Sequence, residues 1–290
     1  MVTFSQGYAS KRPTRIVFLD VDGTLIRKGS AVVPERTRAA VWAVRERGIK
    51  VVLATGRPLH NVVPIAEQLE LTREGGWVIA DNGAITAQLT GRRLRPVHVV
   101  RRSPFNPLGA FMVAMATYPE VIMAVEDLGK GWRVNSPLDN KHLSGRVRTV
   151  PEKKLWEYDV TRAAVRAPGI AGLVPRIEGA GFTAYADGPN HVDITAPGVS
   201  KFAEAAWLCN EWRINLVDAA AAGDGLNDCG LLRSVGWGCA MTGAPQEVLD
   251  VANCFTGSAE QEGIVMFLDS LVPSETVTPV LPTRTTAGAR

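Results

Sequence analysis

The chain has 290 residues, of which 46% are hydrophobic and 21% are charged, so it can bury a sizeable core and is not a disordered protein. At roughly 150 residues per domain, this length predicts about two domains or one large α/β domain. The formal net charge of +3 is too small to indicate nucleic-acid binding by itself. No two of the four cysteines form a C-x-x-C pair, so the sequence predicts reduced thiols rather than a zinc knuckle or a disulfide framework.

The two ends of the sequence differ in composition from the rest. Residues 1–14 form a polar, basic leader without the apolar part of a secretory signal, and no stretch approaches the ~18 apolar residues that span a bilayer. Residues 273–290 have no apolar face and are expected to be disordered. We therefore expect a cytoplasmic protein with no membrane partner and no nucleic-acid partner. The sequence makes no prediction of the oligomeric state.

The first 80 residues alternate between short apolar strands and helices, which is the pattern of βαβ units in a parallel sheet. The predicted helix at 35–47 ends at Gly48 and has an apolar face at or near Ala39, Val41, Trp42 and Val44. The predicted strands lie at 15–19, 49–54 and 77–80, and a second helix follows Pro58.

The pattern changes after residue 84. Residues 85–101 alternate polar and apolar residues across Thr90-Gly91, which predicts a hairpin, and residues 104–187 mix short elements with many Pro and Gly residues. Regular elements return as a strand at 191–195, a helix at 200–212 and a strand at 216–222, with short units to about residue 271. The sequence thus predicts an α/β core domain, residues 15–86 and 188–272, interrupted by an inserted α+β domain at 87–187.

A pair of carboxylates directly follows the first predicted strand, in the segment Asp20-Val-Asp22-Gly-Thr. Side chains two apart on an extended chain point the same way, so Asp20 could attack a substrate while Asp22 transfers a proton. The alternative is an ordinary Asp-Gly turn.

Thr55-Gly56-Arg57 follows the second predicted strand. A hydroxyl and a backbone N–H at the start of a helix suit a phosphate oxygen. For this segment alone, a simple helix cap before Pro58 is the favoured alternative.

Lys201 lies at the start of the predicted helix at 200–212, where its charge opposes the helix dipole at a cost of roughly 0.3–1 kcal/mol. This placement indicates an anionic partner. An ordinary solvated lysine is the alternative.

A Gly-rich turn, Gly223-Asp224-Gly-Leu-Asn227-Asp228, follows the predicted strand at 216–222. Two carboxylates and an amide oxygen are hard ligands of the kind that suits Mg²⁺. The alternative is an acidic N-cap that interacts with the helix dipole.

Each of these four segments follows a predicted strand or opens a helix, and ligands bind at the carboxyl ends of strands in open α/β sheets. In this order the segments resemble the haloacid dehalogenase superfamily of aspartate-nucleophile phosphatases. The insertion between Thr55 and Lys201 resembles the C2-type cap of that superfamily. The similarity to its Cof-type branch lies in Asn82-Gly-Ala84, Pro197-Gly-Val-Ser-Lys201, Gly223 to Asp228 and Ala240-Met-x-x-Ala-Pro245, while Phe202 stands where a Gly commonly follows the lysine.

This resemblance implies a Rossmann-like core with a parallel sheet, and a role for each motif. Asp20 would attack phosphorus and become an aspartyl phosphate, while Asp22 would protonate the leaving oxygen and then take a proton from water. A Mg²⁺ site would comprise Asp20, the backbone carbonyl of Asp22, Asp224 and Asp228, the last of which would orient water or Lys201. The phosphoryl oxygens would contact Thr55, Gly56, Lys201 and Asn227.

Charge balance indicates a metal independently of the resemblance. The four carboxylates would carry four negative charges and a phosphate monoester adds up to about two more, whereas Lys201 supplies one positive charge. At an effective dielectric of ~20, each like-charge pair at ~4 Å costs about 4 kcal/mol. A divalent cation and a protonated Asp22 are therefore expected in the site.

We therefore expect a Mg²⁺-dependent phosphatase that acts on small phosphorylated metabolites such as sugar phosphates. Asp22 favours phosphatase over dehalogenase chemistry, because a halide needs no acid in order to leave. Two alternatives stay open at this point: a sugar phosphomutase of the same superfamily, and a non-catalytic sensor that binds a phosphorylated metabolite.

Overall fold

The computed structural model describes residues 13–92, 95–137, 143 and 145–272. Most of the predicted leader and all of the predicted disordered tail lie outside these residues. The described chain forms one sheet of eight strands and one of six, with helices packed against them. No helix within these ranges is both long enough and apolar enough to cross a membrane.

The eight-stranded sheet is built from both ends of the described chain. Its first part contains β1 (Ile16–Leu19), α1 (Glu35–Glu46), β2 (Lys50–Ala54), α2 (Leu59–Gln68), β3 (Trp77–Ala80), β4 (Ile85–Arg92) and β5 (Arg95–Arg102). The six-stranded sheet follows with α3 (Leu108–Met115), β6 (Ile122–Asp127), β7 (Gly131–Val134), β8 (Arg146–Thr149), β9 (Ala163–Arg166), α4 (Val174–Gly179), β10 (Thr183–Ala186) and β11 (His191–Thr195). The chain then returns to the first sheet with α5 (Lys201–Glu211), β12 (Ala219–Gly223), α6 (Cys229–Ser234), β13 (Trp237–Met241), α7 (Gln246–Leu249), β14 (Cys254–Thr256) and α8 (Ile264–Leu271).

The larger sheet has the strand order β14-β13-β12-β1-β2-β3-β4-β5. Its strands are parallel from β14 to β3, and β4 and β5 are antiparallel. The predicted α/β fold with a parallel sheet is therefore confirmed.

Helices cover both faces of this sheet, which explains why β1 is apolar throughout. Val17 and Leu19 pack with α1, α2 and α8, whereas Ile16 and Phe18 pack on the opposite face with α5 and α6. All four side chains are fully buried. A strand that is buried on both faces offers no position to a polar side chain, so the first carboxylate, Asp20, comes where the strand ends.

Three local predictions need correction. The inner face of α1 is formed by Thr37, Ala40, Val41 and Val44, while Ala39 and Trp42 are exposed, because residues three and four apart share one side of a helix. The hairpin forms, but β4 continues past Thr90-Gly91 to Arg92 through an irregular register. The strand predicted at 216–222 begins only at Ala219, because the Asn215 side chain accepts a hydrogen bond from the Val217 N–H and starts a short helical turn.

The six-stranded sheet has the order β10-β11-β9-β6-β7-β8 and is antiparallel except between β7 and β8. Helices α3 and α4 pack on one of its faces. The predicted domain boundaries at 86/87 and 187/188 do not coincide with the strand pairing, since β4 and β5 extend the larger sheet and β11 belongs to the smaller one. We propose that residues 103–196 form the predicted cap, and we call them the cap below.

Candidate active site

The predicted site residues lie at one edge of the larger sheet. Leu19 at the end of β1 pairs with Leu53 of β2 on one side and with Ala222 of β12 on the other. Because these strands are parallel and in register, the residues that follow them emerge together. Asp20, Thr55 and Asp224 are therefore neighbours at the carboxyl edge of the sheet.

Lys201 has the anionic partners that its position predicted. Its Nζ donates to Asp20 Oδ1 at 2.6 Å and to Asp228 Oδ1 at 2.7 Å, and only 1% of the residue is exposed. Burial works against the ammonium charge, but the two carboxylates more than offset it and hold the pKa of Lys201 above its ordinary value. The lysine is therefore a fixed positive charge beside Asp20.

Asp228 anchors the turn that carries Asp224. Its second oxygen, Oδ2, accepts hydrogen bonds from the backbone N–H groups of Asp224 at 3.1 Å and Gly225 at 3.0 Å. A Cβ atom at Gly223 would lie 2.3 Å from the Asp228 Cγ, so only glycine lets the strand end this close to the carboxylate. These contacts fit the predicted role of Asp228 in orienting Lys201, whereas the Asp228 side chain makes no capping hydrogen bond to α6, which was the alternative.

Three carboxylates could hold a divalent cation together. Asp20, Asp224 and Asp228 each offer an oxygen, and these atoms lie within 4.8 Å of one another. Burial raises the pKa of Asp20 to about 8, against the opposing effect of Lys201, and Asp228 and Asp224 add to the rise. Ionising all three carboxylates would therefore place more negative charge in the site than Lys201 balances, and a cation with hard oxygen ligands would offset that charge.

The predicted acid–base residue, Asp22, forms a two-bond ion pair with Arg57. Arg57 Nε lies 2.6 Å from Asp22 Oδ2, and Nη2 lies 2.7 Å from Asp22 Oδ1. Arg57 belongs to the Thr55 segment but had no predicted role of its own. The pairing joins residues 35 apart, so no local pattern could reveal it.

Hydrogen bonds join the loops that follow β2, β3 and β12. The Thr55 carbonyl accepts from the Asn82 N–H at 3.1 Å, and the Asn227 amide donates to Asn82 Oδ1 at 2.7 Å. The Thr55 hydroxyl accepts from the Arg57 N–H at 3.1 Å, which is a local turn, whereas α2 begins after Pro58 without a side-chain cap, so the helix cap offered as the alternative does not form. Such a hydroxyl can still donate its own proton to a phosphoryl oxygen. Asn82 was part of a recognised motif but had no predicted role.

One residue of the site had no sequence signal. Lys28 Nζ lies 2.8 Å from Asp224 Oδ2, although 73% of the Lys28 side chain is exposed. The contact comes from the loop after β1 passing over the Gly-rich turn. Together, the structure groups Asp20, Lys201, Asp224 and Asp228, pairs Asp22 with Arg57, and links Thr55 to Asn227 through Asn82.

The chain is similar to known proteins over most of its length. The family of haloacid dehalogenase-like hydrolases matches residues 17–98 and 170–268, which make up more than half of the chain. The 5-amino-6-(5-phospho-D-ribitylamino)uracil phosphatase YbjI of Escherichia coli (strain K12) is 24% identical over 282 residues, covering 90% of this chain and 97% of YbjI.

Two solved structures share the fold over most of this chain. BT1666 from Bacteroides thetaiotaomicron, from a study of phosphatases of the haloalkanoate (HAD) enzyme superfamily, is 25% identical with a TM-score of 0.74, covering 92% of this chain and 99% of BT1666. The HAD subclass IIB sugar phosphatase BT4131 is 24% identical with a TM-score of 0.74, covering 88% of this chain and 98% of BT4131. The chain therefore belongs to the haloacid dehalogenase-like hydrolases and is an enzyme of the phosphatase type.

Proposed function

We propose that this enzyme is a Mg²⁺-dependent phosphatase that hydrolyses small phosphomonoesters through an aspartyl-phosphate intermediate. The observation that carries the proposal is the buried contact of Lys201 with both Asp20 and Asp228. An anionic nucleophile can approach an anionic phosphoryl group only where positive charge offsets their repulsion. Lys201 supplies one positive charge at this place.

The residues around Asp20 suit a cation that supplies the remaining charge. Asp20, Asp224 and the backbone carbonyl of Asp22 would hold Mg²⁺, with Asp228 fixing the turn behind them. When bound, the ion would neutralise the charge that develops on the phosphoryl oxygens. Thr55, Gly56, Lys201 and Asn227 would bind those oxygens directly.

The reaction would proceed in two halves. In the first, a carboxylate oxygen of Asp20 bonds to phosphorus as the bond to the leaving oxygen breaks, and Asp22 gives that oxygen its proton. In the second, Asp22 takes a proton from the water that attacks phosphorus. The Asp20 carboxylate is then restored and inorganic phosphate is released.

The ion pair with Arg57 suits the second half better than the first. Both carboxylate oxygens of Asp22 accept hydrogen bonds from Arg57, and in the second half Asp22 acts as an acceptor, taking a proton from water. Asp22 must hold a proton before the leaving group departs. We therefore propose that substrate binding weakens the Asp22–Arg57 pair.

The proposed substrates are small phosphorylated metabolites such as sugar phosphates. YbjI is named as the phosphatase of a phosphorylated ribitylaminouracil, and BT4131 is named as a sugar phosphatase. The matches cover 97% of YbjI and 98% of BT4131. The cap contacts the loop after β2, since Arg162 donates to the Gly56 carbonyl at 2.7 Å. A cap this close to the phosphate loop can exclude water from a bound substrate.

A panel of phosphorylated metabolites, with p-nitrophenyl phosphate as a generic substrate, tests the proposal by measuring released phosphate. We expect release with MgCl₂ and none with excess EDTA. Asp20→Asn should abolish release, while Asp269→Asn, an exposed carboxylate on α8, should not change it. Release that persists in EDTA or in Asp20→Asn would overturn the mechanism, and transfer of phosphate between positions without net release would indicate a mutase.

A further inference from the structure

A buried polar cluster joins the cap to the core beside the proposed phosphate loop. Asp81 follows β3 in the core, whereas Glu126 lies in β6, Arg162 directly precedes β9 and Asp193 lies in β11. Each of these four charged residues is at most 8% exposed. Charged side chains are rarely buried this deeply without a specific partner, so the contacts of each one are informative.

Arg162 is held rigidly within the cap. Its Nε and Nη2 atoms donate to Asp193 Oδ1 at 3.1 Å and to Asp193 Oδ2 at 2.6 Å, and its guanidinium lies 5.2 Å from the centroid of the Trp132 ring. His191 Nε2 lies 3.1 Å from Asp193 Oδ1 and holds that carboxylate from the other side. These contacts within the cap therefore fix the orientation of the guanidinium independently of its contact with the core.

The remaining nitrogen of Arg162 crosses to the core. Nη1 donates to the Gly56 carbonyl at 2.7 Å and lies 3.4 Å from Asp81 Oδ1. Gly56 stands between Thr55, which is proposed to bind phosphate, and Arg57, which holds Asp22. One side chain of the cap thus contacts the backbone of the loop that links these two functions.

The bond from Arg162 to Gly56 is not a by-product of pairing with the core carboxylate. Nη1 lies 2.7 Å from the Gly56 carbonyl and 3.4 Å from Asp81 Oδ1, so its shorter contact is with the uncharged backbone oxygen. Burial raises the pKa of Asp81 and of Glu126, and Arg162 opposes the rise at both. Charge neutralisation alone does not account for the contact of Arg162 with the carbonyl.

We propose that Arg162 is a positioning residue: through the Gly56 carbonyl it sets the geometry of the Thr55–Arg57 loop when the cap lies over the core. The inference rests on the proposed phosphatase function, because it assigns that loop to phosphate binding. Under this proposal, a residue of the cap sets the geometry of the phosphate-binding loop. Arg162 lies outside the segments that match the family.

The first test compares Arg162→Lys with Arg133→Lys in the full-length enzyme. Arg133 is also a cap arginine that binds an aspartate, Asp127, and a backbone carbonyl, that of Lys154, but both partners lie within the cap. A lysine keeps the charge but lacks the planar fork that reaches Asp193 and Gly56 together. We expect Arg162→Lys to lower kcat/KM for p-nitrophenyl phosphate by roughly 10- to 100-fold and to speed amide hydrogen exchange at residues 55–57. Arg133→Lys should change neither.

Equal kcat/KM in the two variants would overturn the inference while leaving the proposed function intact. An unmutated enzyme that releases no phosphate would overturn the proposed function, and the inference with it. A second measurement needs no variant: inorganic phosphate with MgCl₂ should slow exchange in the unmutated enzyme both at residues 55–57 and at residues 162–166. Protection confined to residues 55–57 would contradict a coupling between the cap and the loop.

Discussion

Arg57 holds both carboxylate oxygens of Asp22, at 2.6 and 2.7 Å. Its Nη2 also donates to the Ser30 carbonyl at 2.7 Å, so the guanidinium is itself tied to the backbone. A planar guanidinium binds a carboxylate through two parallel hydrogen bonds, which an ammonium cannot do. The orientation of the proposed acid–base residue therefore depends on Arg57.

Arg57→Lys should reduce kcat for p-nitrophenyl phosphate roughly 10-fold with little change in KM. This reduction is smaller than the roughly 10²- to 10⁴-fold loss expected when acid–base catalysis is removed altogether. The lysine keeps the charge and loses only the orientation of Asp22. The control is Arg73→Lys, which alters an exposed ion pair with Glu70 and should leave kcat unchanged. If kcat in Arg57→Lys stays at the parental value, the orientation of Asp22 does not depend on Arg57.

Lys201→Met should lower the free energy of unfolding of the metal-free enzyme by about 3–5 kcal/mol, because it leaves Asp20 and Asp228 buried without their counter-charge. Urea unfolding followed by circular dichroism measures this. Lys154→Met removes an exposed lysine that contacts Glu157, and should change the unfolding midpoint little. Similar losses in the two variants would show that the buried contact adds no stability.

Asp193→Asn should destabilise the enzyme in a way that depends on pH. Burial alone would raise the pKa of Asp193, but Arg162 and His191 outweigh it and hold that pKa below its ordinary value. Ionised Asp193 therefore stabilises the fold above the unfolded-state pKa of about 4, and this stabilisation is lost as the pH falls towards the folded-state pKa.

The measurement is the difference in the free energy of unfolding between Asp193→Asn and the parent, from urea titrations at pH values from 7 down to 3. We expect the difference to be largest near pH 7 and to shrink below about pH 4. Asp250→Asn, at an exposed carboxylate, is the control and should show no such trend. A difference that is constant across this range would contradict the assignment.

Gly23→Ala should disturb both the fold and the site. Gly23 has φ +78°, and a Cβ atom there would lie 2.4 Å from Asp224 Oδ2. Gly29 has the same φ of +78° but no atom within 4 Å of its Cβ position, so Gly29→Ala isolates the backbone cost of roughly 1–2 kcal/mol. We expect Gly23→Ala to lose more stability than Gly29→Ala and to lose phosphatase activity, which Gly29→Ala keeps. Equal activity in both would show that Asp224 tolerates displacement.

The elements that lie near the site could be predicted because they follow local rules. The four apolar residues before Asp20 predict a strand that is buried on both faces, and these residues are buried. Gly48 predicts the end of α1, and its φ is positive, as a residue at that position requires. The grouping of Asp20, Lys201 and Asp224 followed from one rule, that parallel strands and helix starts meet at one edge of a sheet. The family resemblance then assigned each residue a role.

The parts that could not be predicted depend on tertiary contacts. The Arg162–Gly56 hydrogen bond joins residues 106 apart, and no motif marks either Arg162 or Glu126. The α1 face was misjudged at Trp42 because a large apolar side chain can remain on the surface, where 53% of it is exposed. Which sheet the hairpin of β4 and β5 extends also depends on a tertiary contact, the pairing of β4 with β3.

The pairing of Leu19 with Ala222 has a consequence for how the chain folds during its synthesis on the ribosome. At 5–20 residues per second, β12 is synthesised roughly 10 to 40 s after β1. During that interval β1, the future centre of the sheet, is an edge strand with one side unpaired, and such edges invite association with other chains. The nascent polypeptide thus contains its proposed nucleophile, Asp20, well before Lys201 and Asp224 have been synthesised, so we expect phosphatase activity to be among the last properties that it acquires.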